Sequence, residues 1–182
     1  MNEPDAQALS VTRFWREAGA DAWFRKDDAF DADFKDRFLD LHYAAARREL
    51  DGWLDHAEGA LALMILLDQF PRNCFRGTAH MYATDPLARH FARKAIADGH
   101  DLALDEEVRV FLYLPFEHSE LLEDQHESVE LQTAKAEAYL KYGIEHRDII
   151  ERFGRFPHRN RMLGRETTPE EQAFLDSGGF SG

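Results

Sequence analysis

The chain has a single cysteine, Cys74. That excludes an intramolecular disulfide and a thiolate-rich metal site, and Cys74 reads as a small, partly buried side chain. Long apolar runs are also missing. The longest, Ala60–Leu67 (ALALMILL), falls far short of the about 20 residues needed to span a bilayer. The N-terminal stretch MNEPDAQALSVTRFW begins acidic and lacks an apolar core, so no secretory signal is read there and the cytoplasm is the expected location. Valine, isoleucine and threonine are sparse and scattered, and no segment alternates as a strand would. There is no Gly-x-Ser-x-Gly elbow, no phosphate loop and no dinucleotide fingerprint, which leaves the common serine hydrolases, kinases and dehydrogenases without support.

What is present suits one helical domain over residues 1–182. The apolar share of 44% is enough for a core without disulfides or metal, and argues against disorder. The net charge is -13, which opposes binding to nucleic acid or anionic membranes unless charge is segregated. It is segregated. Arg152–Arg165 (RFGRFPHRNRMLGR) holds five arginines and no acidic residue, so the rest of the chain is more acidic still.

Capping and breaking residues predict about eight or nine helices in antiparallel pairs, an all-α fold. Ser10 is read as the cap of a helix over Val11–Ala18 that Gly19 stops. Helices follow at about Asp33–Leu50 and Trp53–Gln69, the second ended by Pro71. Asp85-Pro86 starts another, which Gly99 stops. Further helices are expected at Glu106–Leu114, Glu117–Tyr142 (closed by Gly143), Glu145–Phe153 and after Thr168-Pro169. ALALMILL is apolar all round and belongs in the middle of the fold.

One short string occurs twice. Phe70-Pro71-Arg72-Asn73 returns as Phe156-Pro157-His158-Arg159-Asn160, each following a helix. Each Phe-Pro would anchor a helix exit, and each Arg-Asn would present a planar cation and an amide suited to carboxylate or phosphate. Two such exits side by side would cradle an anion. The ligand-binding candidates are Arg72, Asn73, Arg76, Arg155, Arg159 and Asn160. Against this stands the plainer reading that these arginines bind helix-end carbonyls and the chain's own carboxylates.

A second cluster lies in Leu114–Gln125 (LPFEHSELLEDQ). The candidate catalytic residues are His118 and Glu120, after the helix-breaking Pro115, together with His158. Only one Glu-x-x-His occurs, Glu123 with His126, so a dimetal site is poorly supported and no cofactor is expected. Three functions compete: a pocket for a small anionic molecule, a module that binds acidic peptides, and a metal-dependent enzyme built on His118 and Glu120.

Long blocks of the chain, in a fixed order, resemble a known bacterial family. LALMILLDQFPRNCFRGT, FLYLPFEHSELLEDQ, HRDIIERFGRFPHRN and LGRETTPEE carry the resemblance, with FWREAG, WFRKDDAFD and RFLDLHYAAARRELDGW before them. The family is domain-of-unknown-function family 924, and the resemblance spans about Phe14–Leu175. It implies a right-handed tetratricopeptide-like array of helix pairs and supplies no activity. The positions matching its motifs are Asp68, Gln69, Arg72, Asn73, Arg76, His118, Glu120, Asp124, Gln125, His146, Arg155, His158, Arg159, Asn160 and Arg165. Cys74 and Glu117 depart from it, standing where the family usually has apolar residues.

Overall fold

The computed structural model describes residues 3–180, and no strand occurs among them. Seven helices of eight residues or more form the described part: α1 (Ala6–Ala18), α2 (Asp28–Ala46), α3, α4 (Asp85–Ala97), α5 (Leu122–Lys135), α6 (Leu140–Phe153) and α7 (Pro169–Asp176). Short helical turns join them. α3 is composite: Ala57–Met64 runs without a break into a π-helical turn, Ile65–Gln69, and on through Phe70–Cys74.

The apolar centre of α3 places it where its composition demands. Every residue from Gly59 to Pro71 is buried, and α1, α2 and α4 pack around it. Trp15, Phe34 and Phe70, all fully buried, fill the space between these helices. Trp15 meets Phe34 at 5.5 Å between ring centres, and Phe34 meets Phe70 at 5.0 Å.

Several helix ends differ from the sequence reading. α1 starts earlier, with Asp5 accepting from the Gln7 backbone N–H at 2.7 Å, so Ser10 lies inside the helix. α2 is capped by Asp27, which accepts from the N–H groups of Ala29 and Phe30. The capping box at Thr168 and Glu171 is formed as expected.

Pro71 does not end α3. A π turn widens the helix by one residue, so Phe70 N–H donates to Ile65 O. This turn and the missing proline N–H free several carbonyls, which other side chains then satisfy. His42 Nδ1 bonds Leu66 O at 2.8 Å, Thr84 Oγ1 donates to Leu67 O at 2.5 Å, and Arg72 Nη1 donates to Asp68 O at 2.8 Å.

The single long helix expected over Glu117–Tyr142 is instead a hairpin. The chain turns at Ala136 and α6 runs back along α5. Gly143 stops nothing. It lies within α6 at the crossing with α5, where a Cβ would meet Gln132 Oε1 at 2.5 Å.

Gly59 marks a tighter approach, because a Cβ there would meet the Trp53 carbonyl oxygen at 2.1 Å. Gly59→Ala is expected to destabilise the protein by about 2–3 kcal/mol, although alanine is the better helix former by about 1 kcal/mol. Urea denaturation checks this. An unchanged unfolding free energy would mean that the turn before α3 yields freely.

Candidate functional site

The π turn aims Asp68 and Gln69 away from the apolar core, toward the last turn of α3 and the start of α4. Asp85 lies in the first turn of α4 and does not cap it. Its two oxygens accept from Arg72 Nη1 and Nη2 at 2.8 and 3.0 Å. Arg72 Nη1 also lies 3.2 Å from Asp68 Oδ1. Asp68 accepts in turn from Gln69 Nε2 at 2.6 Å and from His118 Nδ1 at 2.7 Å. Burial alone would raise the Asp68 carboxyl, but the charge of Arg72 and the contact with His118 outweigh it and take it down to about 2.

His118 follows the short Leu114–Glu117 turn, and its side chain is 13% exposed. Burial, and after it the charge of Arg72, pushes its imidazole below the ordinary value, although Asp68 opposes this. An ionised Asp68 can only accept, so the neutral ring carries its proton on Nδ1 and leaves Nε2 as a base. Nε2 has no hydrogen-bond partner among the described residues, and His118 lines a cavity.

Arg159 faces the same cavity from the arginine-rich loop. It is 6% exposed. Its guanidinium lies between the rings of Tyr82 and Phe156, at 4.5 and 4.4 Å from their centres. The nearest carboxylate oxygen, Asp85 Oδ2, is 3.6 Å from Nη1, too far for a hydrogen bond. Among the described residues the guanidinium donates no hydrogen bond, and its Nε is fully enclosed. Burial, reinforced by Arg72, draws its pKa down to about 10, which still leaves it charged at neutral pH.

The cavity has a volume of about 420 Å³. Arg72, His118, His158 and Arg159 are among its polar lining residues, and Trp23, Phe24, Leu114, Tyr139 and Tyr142 among its apolar and aromatic ones. Glu117, 3% exposed, also borders it and accepts from Gln132 Nε2 at 2.6 Å. Burial raises the Glu117 carboxyl toward its neutral form against the opposing pull of His118 and Gln132. Phe180 lies against His146 and His158 at 4.5 and 5.2 Å between ring centres.

The sequence candidates therefore divide. Arg72, Asn73, Arg76, Arg159, His118 and His158 border one cavity. Asn73 and Arg76 are already committed to Asp31, through bonds of 2.7 and 2.8 Å. Arg155, Asn160 and Glu120 lie elsewhere. Arg155 forms paired bonds of 2.6 and 2.8 Å with Glu171, which also accepts from Asn160. Glu120 takes Arg165 at 2.8 and 2.7 Å and the Phe156 backbone N–H at 2.9 Å.

The two Phe-Pro strings differ in backbone. The first is inside a continuing helix, and the second opens a 3-10 turn, Pro157–Arg159, after the left-handed Gly154. What they share is Asp85, which binds Arg72 and lies nearest Arg159. No group of three or more His, Cys, Asp or Glu residues among the described ones is arranged to hold a metal ion. No helix among them is long and apolar enough to cross a membrane. Sequence reasoning gave Tyr82 and Tyr139 no role and read Asp85 only as a helix start. It noted Glu117 only as a departure from the family's usual apolar residue.

His146 and His158 are held neutral by burial, with pKa values down to about 4 and about 3. His146 Nδ1 donates to Tyr142 O at 2.9 Å, whereas His158 Nδ1 is enclosed without a partner. The unfolded chain takes up protons at these positions near pH 6.5, and the folded chain does so only well below. Stability is therefore lost as pH falls from about 6.5, by up to about 1.4 kcal/mol per pH unit for each ring. His158→Gln is expected to flatten the fall in unfolding free energy between about pH 6.5 and 4.5. An unaltered slope in urea denaturation at stepped pH would contradict this.

Comparison with known proteins agrees with the resemblance read from the blocks. The profile of the family described as "Bacterial protein of unknown function (DUF924)" matches residues 11–179. A solved structure, the protein of unknown function ATU0120 from Agrobacterium tumefaciens, is 62% identical and superimposes with a TM-score of 0.93. The match covers 95% of this chain and 98% of that one. No curated protein matches. With nearly its whole length matched in sequence and in fold, the chain belongs to the DUF924 family.

Proposed function

We propose that the cavity binds a small organic anion, held by Arg159 with Arg72 behind it. The observation that carries this reading is the guanidinium of Arg159: buried, charged, and without a hydrogen bond among the described residues. Leaving such donors unmet in the interior is costly, and an anionic ligand would meet those at the Nη end, the enclosed Nε lying out of its reach. A volume of about 420 Å³ suits a small molecule, and a lining that mixes aromatic side chains with a few charged ones is typical of ligand sites. π turns are rare and recur at functional sites, and this one delivers Asp68 and Gln69.

Asp68 and His118 give the same site the means for general-base chemistry. No serine, threonine, cysteine or lysine borders the cavity among the described residues, so the base would act directly on the ligand or on water. An acidic peptide is less well supported, because the uncommitted cation lies inside a small cavity and not along an open groove. A metal enzyme on His118 and Glu120 is less well supported too, since the Glu120 oxygens are taken by Arg165 and Phe156. In this reading the helix pairs stack in the tetratricopeptide-like manner and the protein works in the cytoplasm.

Thermal denaturation across a panel of small carboxylates and inorganic phosphate tests the proposal. At least one anion is expected to stabilise the protein, by about 2.7 kcal/mol at 100 times its dissociation constant. Arg159→Gln is expected to abolish the response. Arg155→Ala, which breaks the pair with Glu171 away from the cavity, is expected to lower Tm and keep it. A response in Arg159→Gln equal to that of the natural chain would overturn the reading.

A further inference from the structure

The ligand's chemical class follows from how the charges around the cavity are already spent, given that the cavity binds an anion as proposed above. Arg72 is matched by Asp68 and Asp85, and Arg76 by Asp31. Among the cavity's arginines, Arg159 alone donates no hydrogen bond within the described residues, its nearest carboxylate oxygen, Asp85 Oδ2, standing 3.6 Å away, so the site has one cation with donors to offer. A second negative charge on the ligand would find no donor. It would lie near the carboxylate of Asp85, 3.6 Å from Arg159 Nη1, in an interior that screens charge weakly. The histidines there add no charge, because burial holds them neutral.

Shape points the same way. The rings of Tyr82 and Phe156 pack against the guanidinium, their centres 4.5 and 4.4 Å from its carbon, which leaves the Nη end for a ligand to approach. A guanidinium edge pairs in plane with the two oxygens of a carboxylate. Aromatic side chains also line the cavity, two of them well exposed: Phe24 at 57% and Tyr142 at 45%. Exposed aromatics lining a concavity offer stacking and apolar contact to a ligand's body.

We propose that the ligand is a monocarboxylate with an aromatic or branched apolar body, its carboxylate on the edge of Arg159 and its body against Phe24, Tyr139 and Tyr142. Phosphate monoesters, which are largely dianionic above about pH 7, are disfavoured by the charge count.

Isothermal titration at about pH 7.5 tests this with four probes: 3-phenylpropionate, acetate, 3-phenylpropanol and phenyl phosphate. 3-Phenylpropionate is expected to bind about tenfold or more tighter than acetate, which lacks the body, and than phenyl phosphate, which carries the second charge. 3-Phenylpropanol, with the body and no charge, is expected to give no measurable heat. Phe24→Ala, shown folded by circular dichroism, is expected to weaken 3-phenylpropionate and leave acetate unchanged. Tighter binding of phenyl phosphate than of 3-phenylpropionate would overturn the monocarboxylate assignment and leave the anion pocket standing. No binding by any of the three anions would remove both.

Discussion

A buried arginine is tolerable only when carboxylates and hydrogen bonds replace the water it loses, and Arg72 shows what that requirement does to a fold. Its guanidinium needs Asp68 from the same helix and Asp85 from the next, so α3 and α4 are tied together by charge. Each carboxylate then reaches one residue further. Asp68 fixes the ring of His118, and Asp85 sets the distance of Arg159. Polar order therefore spreads from one ion pair to two of the cavity walls. Removing one partner of such a set leaves an uncompensated charge, so the group stands or falls together.

The arginine-rich loop looks at first like a surplus of positive charge. Most of it is spent locally. Glu120 grips the loop at Arg165 and at the Phe156 backbone, and Glu171 grips it at Arg155 and Asn160. Arg152 pairs with Glu170 at the surface. These clamps hold Phe156 and Pro157 in place, and they in turn set Arg159 against Tyr82. Arg161 is exposed at the surface, and Arg159 is the one loop arginine turned into the cavity, so much of the loop's charge serves as scaffolding for it.

Much of this was legible in the chain. The all-helical class, the capping box at Thr168, the stop at Gly99 and the interior position of ALALMILL follow from local chemistry that the fold does not override. The repeated Phe-Pro string located Arg72 and Arg159, although their backbones differ. The hairpin at Ala136 was not legible, because neither glycine nor proline marks it and Gly143 offered a false stop. The partnerships of Asp85 with Arg72 and of Glu120 with Arg165 span 13 and 45 residues. Such pairings depend on how helices dock, which no spacing rule reports. The aromatic lining was hidden for the same reason, since Trp23, Phe24, Tyr139 and Tyr142 resemble any core or surface aromatic until the chain is folded.

The π turn has a consequence for how this family can vary. It amounts to one residue more than a regular α-helix would need between Met64 and Phe70. Deleting a single residue there would restore an unbroken ladder and leave an excellent apolar helix. Everything on one side would be turned by roughly 100° relative to the other. Phe70 would leave its place against Phe34, and Asp68 and Arg72 would lose their alignment with His118 and Asp85. The number of residues in Ile65–Gln69 thus matters to this fold as much as their identity.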